Sequence, residues 1–145
     1  MEKRVGLELC EFNTLYKEMD ELYHAFALKK GISDSELMIC YFLVQFGDGG
    51  LQRDIAGYYC TSKQTIHSSV KKLEEQGILC AKAGGGRDRK LYFTPAGRQF
   101  AEEKIVPLIE AENSIFADMA SEERTELLRL TRKYVSLFRE KTKRL

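Results

Sequence analysis

Thr61-Ser62-Lys63-Gln64-Thr65-Ile66-His67-Ser68-Ser69-Val70-Lys71-Lys72-Leu73-Glu74-Glu75-Gln76-Gly77-Ile78-Leu79 reads as a capped amphipathic helix that runs into a strand. Ile66, Val70 and Leu73 recur at helical spacing and mark the inner face. Lys63, Gln64, His67, Ser68 and Lys71 fall on the outer face, which is polar, hydrogen-bonding and basic. A helix lying in a DNA major groove requires such a face. Ser62 is the expected cap, and it leaves backbone N–H groups free to meet a phosphate. Gly77 stands where a helix end takes a left-handed residue. A polar outer face by itself is weak evidence, because every surface helix has one.

The surroundings add to it. Upstream, Leu51 to about Tyr59 is a second short helical pattern. Ala56 on it is small enough to let two helices cross closely, so the pair reads as a helix-turn-helix. Downstream, Ile78 to Ala83 and Lys90 to Thr94 read as two strands around Gly84-Gly85-Gly86, a hairpin. Arg87, Arg89 and Lys90 follow the glycines. An arginine on such a wing can enter a minor groove and meet its negative potential.

Further out the chain is helical. Apolar residues from Leu9 to Phe26 recur at three and four, giving a long helix from Leu7 to about Lys30 that Gly31 ends. Ser33 or Asp34 caps the next helix, which Gly47-Asp48-Gly49-Gly50 stops. Thr94 and Pro95 open a long helix through Met119, with a kink expected at Pro107. Ser121 is the expected cap of a last helix with an apolar stripe from Leu127 to Phe138 and a cationic end. The fold class is therefore mainly α with a small β-hairpin wing. Residues 1–32 form an N-terminal helical layer, 33–94 the winged helix-turn-helix and 95–145 the C-terminal helices, as one intertwined domain.

Charge follows the same division. Net charge is only +1 over 145 residues, but Arg53 to Arg98 holds nine basic and four acidic residues. The flanks are acidic, as expected if only the middle faces phosphates. Cys10, Cys40, Cys60 and Cys80 are too dispersed for a zinc ribbon or a redox pair, so free and mostly buried thiols are expected. With His24 and His67 the only histidines, no metal-ligand spacing emerges and no cofactor is implied. No apolar run would span a bilayer, and no signal-type segment follows Met1 to Gly6, so no membrane partner and a cytoplasmic location are expected. There is no Gly-x-Ser-x-Gly, phosphate loop or dinucleotide fingerprint, which argues against an enzyme.

The stretches Thr61 to Ile66 and Leu73 to Leu79 resemble the recognition helix and following strand of MarR (multiple antibiotic resistance regulator) family proteins. Leu91-Tyr92-Phe93-Thr94-Pro95-Ala96-Gly97-Arg98 resembles the strand and the start of their dimer helix. Pro107-Leu108-Ile109-Glu110-Ala111-Glu112 and Ser121-Glu122-Glu123-Arg124 continue the likeness over nearly the whole chain. Cys60 replaces the usual turn glycine. The family's wing Asp-x-Arg falls on Gly85 and Arg87, with Asp88 displaced, so either Arg87 or Arg89 is the groove arginine, Arg87 being preferred. The three glycines reshape the wing.

The resemblance implies a homodimer that binds pseudo-palindromic double-stranded DNA as a transcription regulator, most simply a ligand-responsive repressor. On that reading Gln64, His67 and Ser68 approach base edges. Lys63 and Lys71 reach bases or phosphates, and Arg53, Thr61, Ser62 and Thr65 position the backbone. The resemblance also implies a small aromatic or anionic effector, for which Tyr16, Tyr23, His24, Phe42 and Phe46 are candidate lining residues; ordinary core packing is the alternative for these aromatics. Two alternatives stand beside the main reading. One is a thiol-based oxidative-stress sensor using Cys10, although Glu8 and Glu11 beside it oppose a reactive thiolate. The other is a winged-helix module that binds protein and no DNA.

Overall fold

The computed structural model describes residues 4–83 and 89–145. In chain order the elements are α1 (Leu7–Lys30), α2 (Asp34–Phe46), β1 (Gly50–Leu51), α3 (Gln52–Tyr58), α4 (Lys63–Glu75), β2 (Leu79–Ala83), β3 (Arg89–Phe93), α5 (Pro95–Lys104), α6 (Val106–Asp118) and α7 (Ser121–Thr142). They divide into two compact units, Met1–Pro107 and Leu108–Leu145.

The core of the first unit is built on α2 and α4. Leu37, Ile39, Cys40, Phe42 and Leu43 of α2 are buried, as are Ile66, Val70 and Leu73 of α4 and Ile55 and Ala56 of α3. The inner face expected for α4 is thus the observed one, and Ala56 lies buried in the crossing region. Burial pushes the Cys40 thiol up to about 12, with the nearby Glu36 charge adding to it. Cys40 alone of the cysteines is buried; Cys80 is half-buried and Cys10 and Cys60 are exposed, which corrects the expectation of mostly buried thiols.

Local chemistry sets the helix ends. Gly31 closes α1 at φ 70°, and Ser33 caps α2 in a reciprocal box with Glu36. Thr94 caps α5 by accepting from the Gly97 N–H at 2.9 Å, while its hydroxyl donates to the Gly77 carbonyl at 2.5 Å. Gly97 is required there: a Cβ would stand 1.9 Å from the Ile78 carbonyl oxygen. The three strands pair antiparallel in the order β1-β3-β2. The β1 strand was not apparent in the sequence. It forms because Gly49 N–H donates to Leu91 O at 2.7 Å and pins the segment before α3 to β3. Asp48 holds the same edge: one oxygen accepts the Phe93 N–H at 3.0 Å and the other pairs with Arg98 at 3.0 Å.

The kinked long helix expected from Pro95 to Met119 is instead two helices separated at Ile105. Proline at position 107 has no N–H to offer the Glu103 carbonyl. That carbonyl accepts from Lys30 Nζ at 3.3 Å, and Lys104 Nζ donates to Lys30 O at 2.8 Å. The two lysines thereby satisfy terminal carbonyls on each other's helices.

In the second unit, α7 begins one residue earlier in capping terms than expected. Ala120 is the N-cap, not Ser121, and the Glu123 carboxylate accepts the Ala120 N–H at 3.0 Å. Alanine has no side-chain acceptor, so this cap is one-sided. Neither α6 nor α7 buries a residue, and Leu127, Leu128, Leu130, Tyr134, Leu137 and Phe138 stay exposed.

Candidate nucleic-acid interface

The α3–α4 turn decides how the outer face of α4 is presented. Tyr59 N–H donates to Ile55 O at 3.1 Å, and Thr61 N–H to Ala56 O at 3.0 Å. Between them Cys60 adopts φ +51°, the sole positive φ outside glycine among the described residues. The position occupied by a glycine in related motifs is left-handed here too, with a thiol side chain. Ser62 then caps α4 by accepting from the Thr65 N–H at 3.0 Å, and its hydroxyl lies 2.7 Å from that of Thr65. Both hydroxyls are engaged locally, which suits a role in positioning.

Lys63, Gln64, His67, Ser68 and Lys71 are all exposed. Arg53, Lys63, Gln64, His67 and Arg89 line one concavity of about 490 Å³, joined by Leu51 and Gln52. Five residues singled out from the sequence, on α3, α4 and β3, thus converge. Arg53 lies near Asp54, Nε to Oδ1 3.9 Å, as an exposed surface pair. Lys90 is exposed on β3 beside Arg89. Ser68 and Lys71 share the open face of α4 but do not line the concavity, and Thr61 is half-buried at the turn. Arg87, the preferred groove arginine, lies outside the described residues.

Gln52 was missed. Its Oε1 accepts from His67 Nδ1 at 3.1 Å, a bond that orients the imidazole. As the first residue after β1 it carried no pattern signal of its own.

Behind this face α2 grips α4. Ser35 and Ser69 hydroxyls lie 2.5 Å apart, and Glu36 Oε1 takes an ion pair from Lys72 Nζ at 3.1 Å. Glu36 is 3% exposed. Burial raises its carboxyl, but the Ser33 N–H and the Lys72 ammonium outweigh this and hold it below the usual carboxylate range.

The candidate effector residues do not form one site. Tyr23 and His24 line a second cavity of about 590 Å³ among α1, α2 and the end of α3. Phe42 is buried, and with Phe46 and Tyr58 it makes an aromatic cluster with centroids 4.7 to 5.5 Å apart. Tyr16 packs at a tilt against Phe12 along α1, ring centroids 4.7 Å apart, and is not part of the cavity lining. Cys10 is exposed in the first turns of α1.

Two short crossed helices, an exposed basic second helix and a paired strand edge bearing arginine define a winged helix-turn-helix protein. No family model matches the sequence, and no curated protein matches it. Solved structures do. A MarR family regulator from Neisseria meningitidis is 18% identical, with a TM-score of 0.80 over 95% of this chain and 98% of that one. The Staphylococcus aureus MepR–DNA complex is 20% identical, with a TM-score of 0.64 over 87% and 94% of the two chains. Staphylococcus aureus MarR in complex with salicylate and kanamycin is 16% identical, with a TM-score of 0.69 over 90% and 89%. At these identities the likeness is one of fold: the chain has the fold of the MarR-family regulators. Among the described residues no helix is long and apolar enough to cross a membrane.

Proposed function

We propose that this chain is a DNA-binding transcription regulator that acts as a homodimer on a pseudo-palindromic operator. The observation that carries the reading is the convergence of Arg53, Lys63, Gln64, His67 and Arg89 on one exposed concavity. It combines cations for phosphates with hydrogen-bonding groups for base edges. The MarR-family fold and the DNA-bound MepR neighbour support it. The chain then works in the cytoplasm, by occupying a promoter as a repressor, and catalyses nothing. Residues 33–94 make the DNA-binding part, between the helical layers 1–32 and 95–145.

The exposed apolar stripe of α7 and the exposed Leu15, Met19 and Leu22 of α1 support the homodimer. Such surface on a soluble chain marks an interaction site. The cavity that Tyr23 and His24 line supports response to a small aromatic or anionic effector.

The test is selection of bound sequences from a random duplex pool, followed by affinity against salt. An inverted repeat with half-sites about one helical turn apart, bound with steep salt dependence, is the expected result. Absence of enrichment with weak, salt-insensitive binding refutes the DNA reading. Sedimentation at micromolar concentration tests the dimer separately.

A further inference from the structure

The cavity among α1, α2 and the end of α3 has a chemical bias that narrows its ligand. Its volume of about 590 Å³ suits a drug-sized molecule. Asp20 and Asp34 are the carboxylates on its lining, and neither lysine nor arginine lines it. His24 Nδ1 lies 2.9 Å from each oxygen of Asp34.

Tyr23, Tyr41, Tyr58 and Tyr59 supply four aromatic rings. Tyr58 and Tyr59 meet edge to face with centroids 4.9 Å apart, so they turn different surfaces to the space around them. Ring faces carry negative potential and attract cations. Leu37 and Met38 complete an apolar wall. An anion here would meet two carboxylates with neither lysine nor arginine on the lining to offset them. An organic cation would meet attraction from both and bury its hydrocarbon against the wall.

We propose that this cavity binds a small organic cation with aromatic bulk, its positive centre held by Asp34 and Asp20 and its rings stacked among the tyrosines. This rests on the effector reading above and replaces its anionic option. The site is also wired to the candidate DNA face. Asp34 is the first residue of α2, and the next two residues grip α4: Ser35 through Ser69 at 2.5 Å and Glu36 through Lys72 at 3.1 Å. A cation that takes Asp34 from His24 acts on the turn that anchors α4.

The experiment uses the full chain without DNA, labelled on tyrosine rings for NMR. It is titrated with tetraphenylphosphonium and, separately, with tetraphenylborate, which has nearly the same shape and the opposite charge. The phosphonium should shift the Tyr23, Tyr41, Tyr58 and Tyr59 signals with a Kd at least tenfold below that of the borate at those signals. Asp20→Asn with Asp34→Asn should raise the phosphonium Kd at least tenfold. His24→Ala, which frees Asp34, should lower it. Equal or tighter borate binding at these rings, no phosphonium shift there, or an unchanged Kd in the double variant overturns the proposal.

Adding the phosphonium to the protein on its selected duplex then tests the wiring: a fivefold or larger change in DNA affinity is expected, and no change overturns that part. If no duplex is selected, the DNA reading fails while the ring titration still decides the ligand class.

Discussion

Lys72 Nζ sits 3.1 Å from Glu36 Oε1, and this pair ties the recognition-type helix to the helix behind it through a carboxylate that is 4% exposed in its side chain. The second oxygen of Glu36 accepts the Ser33 N–H at 2.7 Å, so both oxygens are engaged. Removing one partner of such a pair strands the other in a poor solvent.

The folded carboxyl of Glu36 is held below its ordinary value. Its contribution to stability is therefore complete above the unfolded carboxylate value and is lost as pH falls through the folded one. Glu36→Gln should lower stability at pH 7 by about 1–3 kcal/mol and flatten the acid limb of the stability profile. Lys72→Met leaves the carboxylate buried without its cation and removes a cause that holds its carboxyl down, so the acid limb should shrink toward that of Glu36→Gln. Urea unfolding between pH 3 and 7 reads both. Equal acid limbs in all three proteins would show that the pair adds nothing.

Gly97 and Gly57 make a contrasting pair. A Cβ at Gly97 stands 1.9 Å from Ile78 O, a backbone atom that also accepts the Thr94 N–H at 3.1 Å. Neither can move without opening the junction of α5 with the sheet. Gly57, inside α3, has nothing within 4 Å of its Cβ position. Gly97→Ala should therefore cost about 1–3 kcal/mol, whereas Gly57→Ala should gain up to about 1 kcal/mol from helix propensity. Thermal melts of both variants beside the parent measure the two signs.

These glycines also show what the sequence could and could not tell. Period and punctuation located α1, α2 and α4: the 3–4 spacing of Ile66, Val70 and Leu73, the caps Ser33, Ser62 and Thr94, and the stops at Gly31 and Gly77 all lie where read. Each is a local signal. Apart from the α7 cap, which shifted from Ser121 to Ala120 through Glu123, these misreadings turned on partners distant in sequence. The break at Ile105 depends on Lys30 reaching Glu103 O, and β1 depends on Leu91 meeting Gly49. The exposed outer face of α4 was legible because Lys63, Gln64, His67, Ser68 and Lys71 share one helix, yet Gln52 was not, because its contact is a side-chain bond to His67 fifteen residues on. For Phe42 the sequence left ligand lining and core packing open, since an aromatic stripe looks the same for either purpose, and the residue lies buried in the core.

Cys60 is the left-handed residue of the helix-turn-helix, at φ +51°. A side chain with a Cβ pays about 1–2 kcal/mol for this region, while glycine gives back part of that in chain entropy. Cys60→Gly should raise stability by about 0.5–1 kcal/mol and leave DNA affinity intact. Cys60→Val, with a branched β-carbon, should lower stability. A midpoint in urea that moves down for Cys60→Gly would mean that the thiol, whose Sγ lies 3.8 Å from Gly57 O, contributes more than the strain costs.

The Gln52–His67 contact predicts base preference. With Nδ1–H donating to Gln52 Oε1 at 3.1 Å, neutral His67 offers Nε2 as an acceptor. In a major groove that atom suits the exocyclic amino group of cytosine or adenine, and it disfavours the O6 and N7 acceptors of guanine. Gln52→Leu frees the ring to turn over or change tautomer, so discrimination at the base pair facing His67 should fall by about 1–3 kcal/mol. Overall affinity should fall much less, because the phosphate cations are untouched. Gln52→Glu keeps an acceptor at the same place and should preserve the preference. Duplex selection with the parent and both variants decides this. A Gln52→Leu protein that selects the parent sequence with undiminished preference would show that His67 reads no base under the control of Gln52.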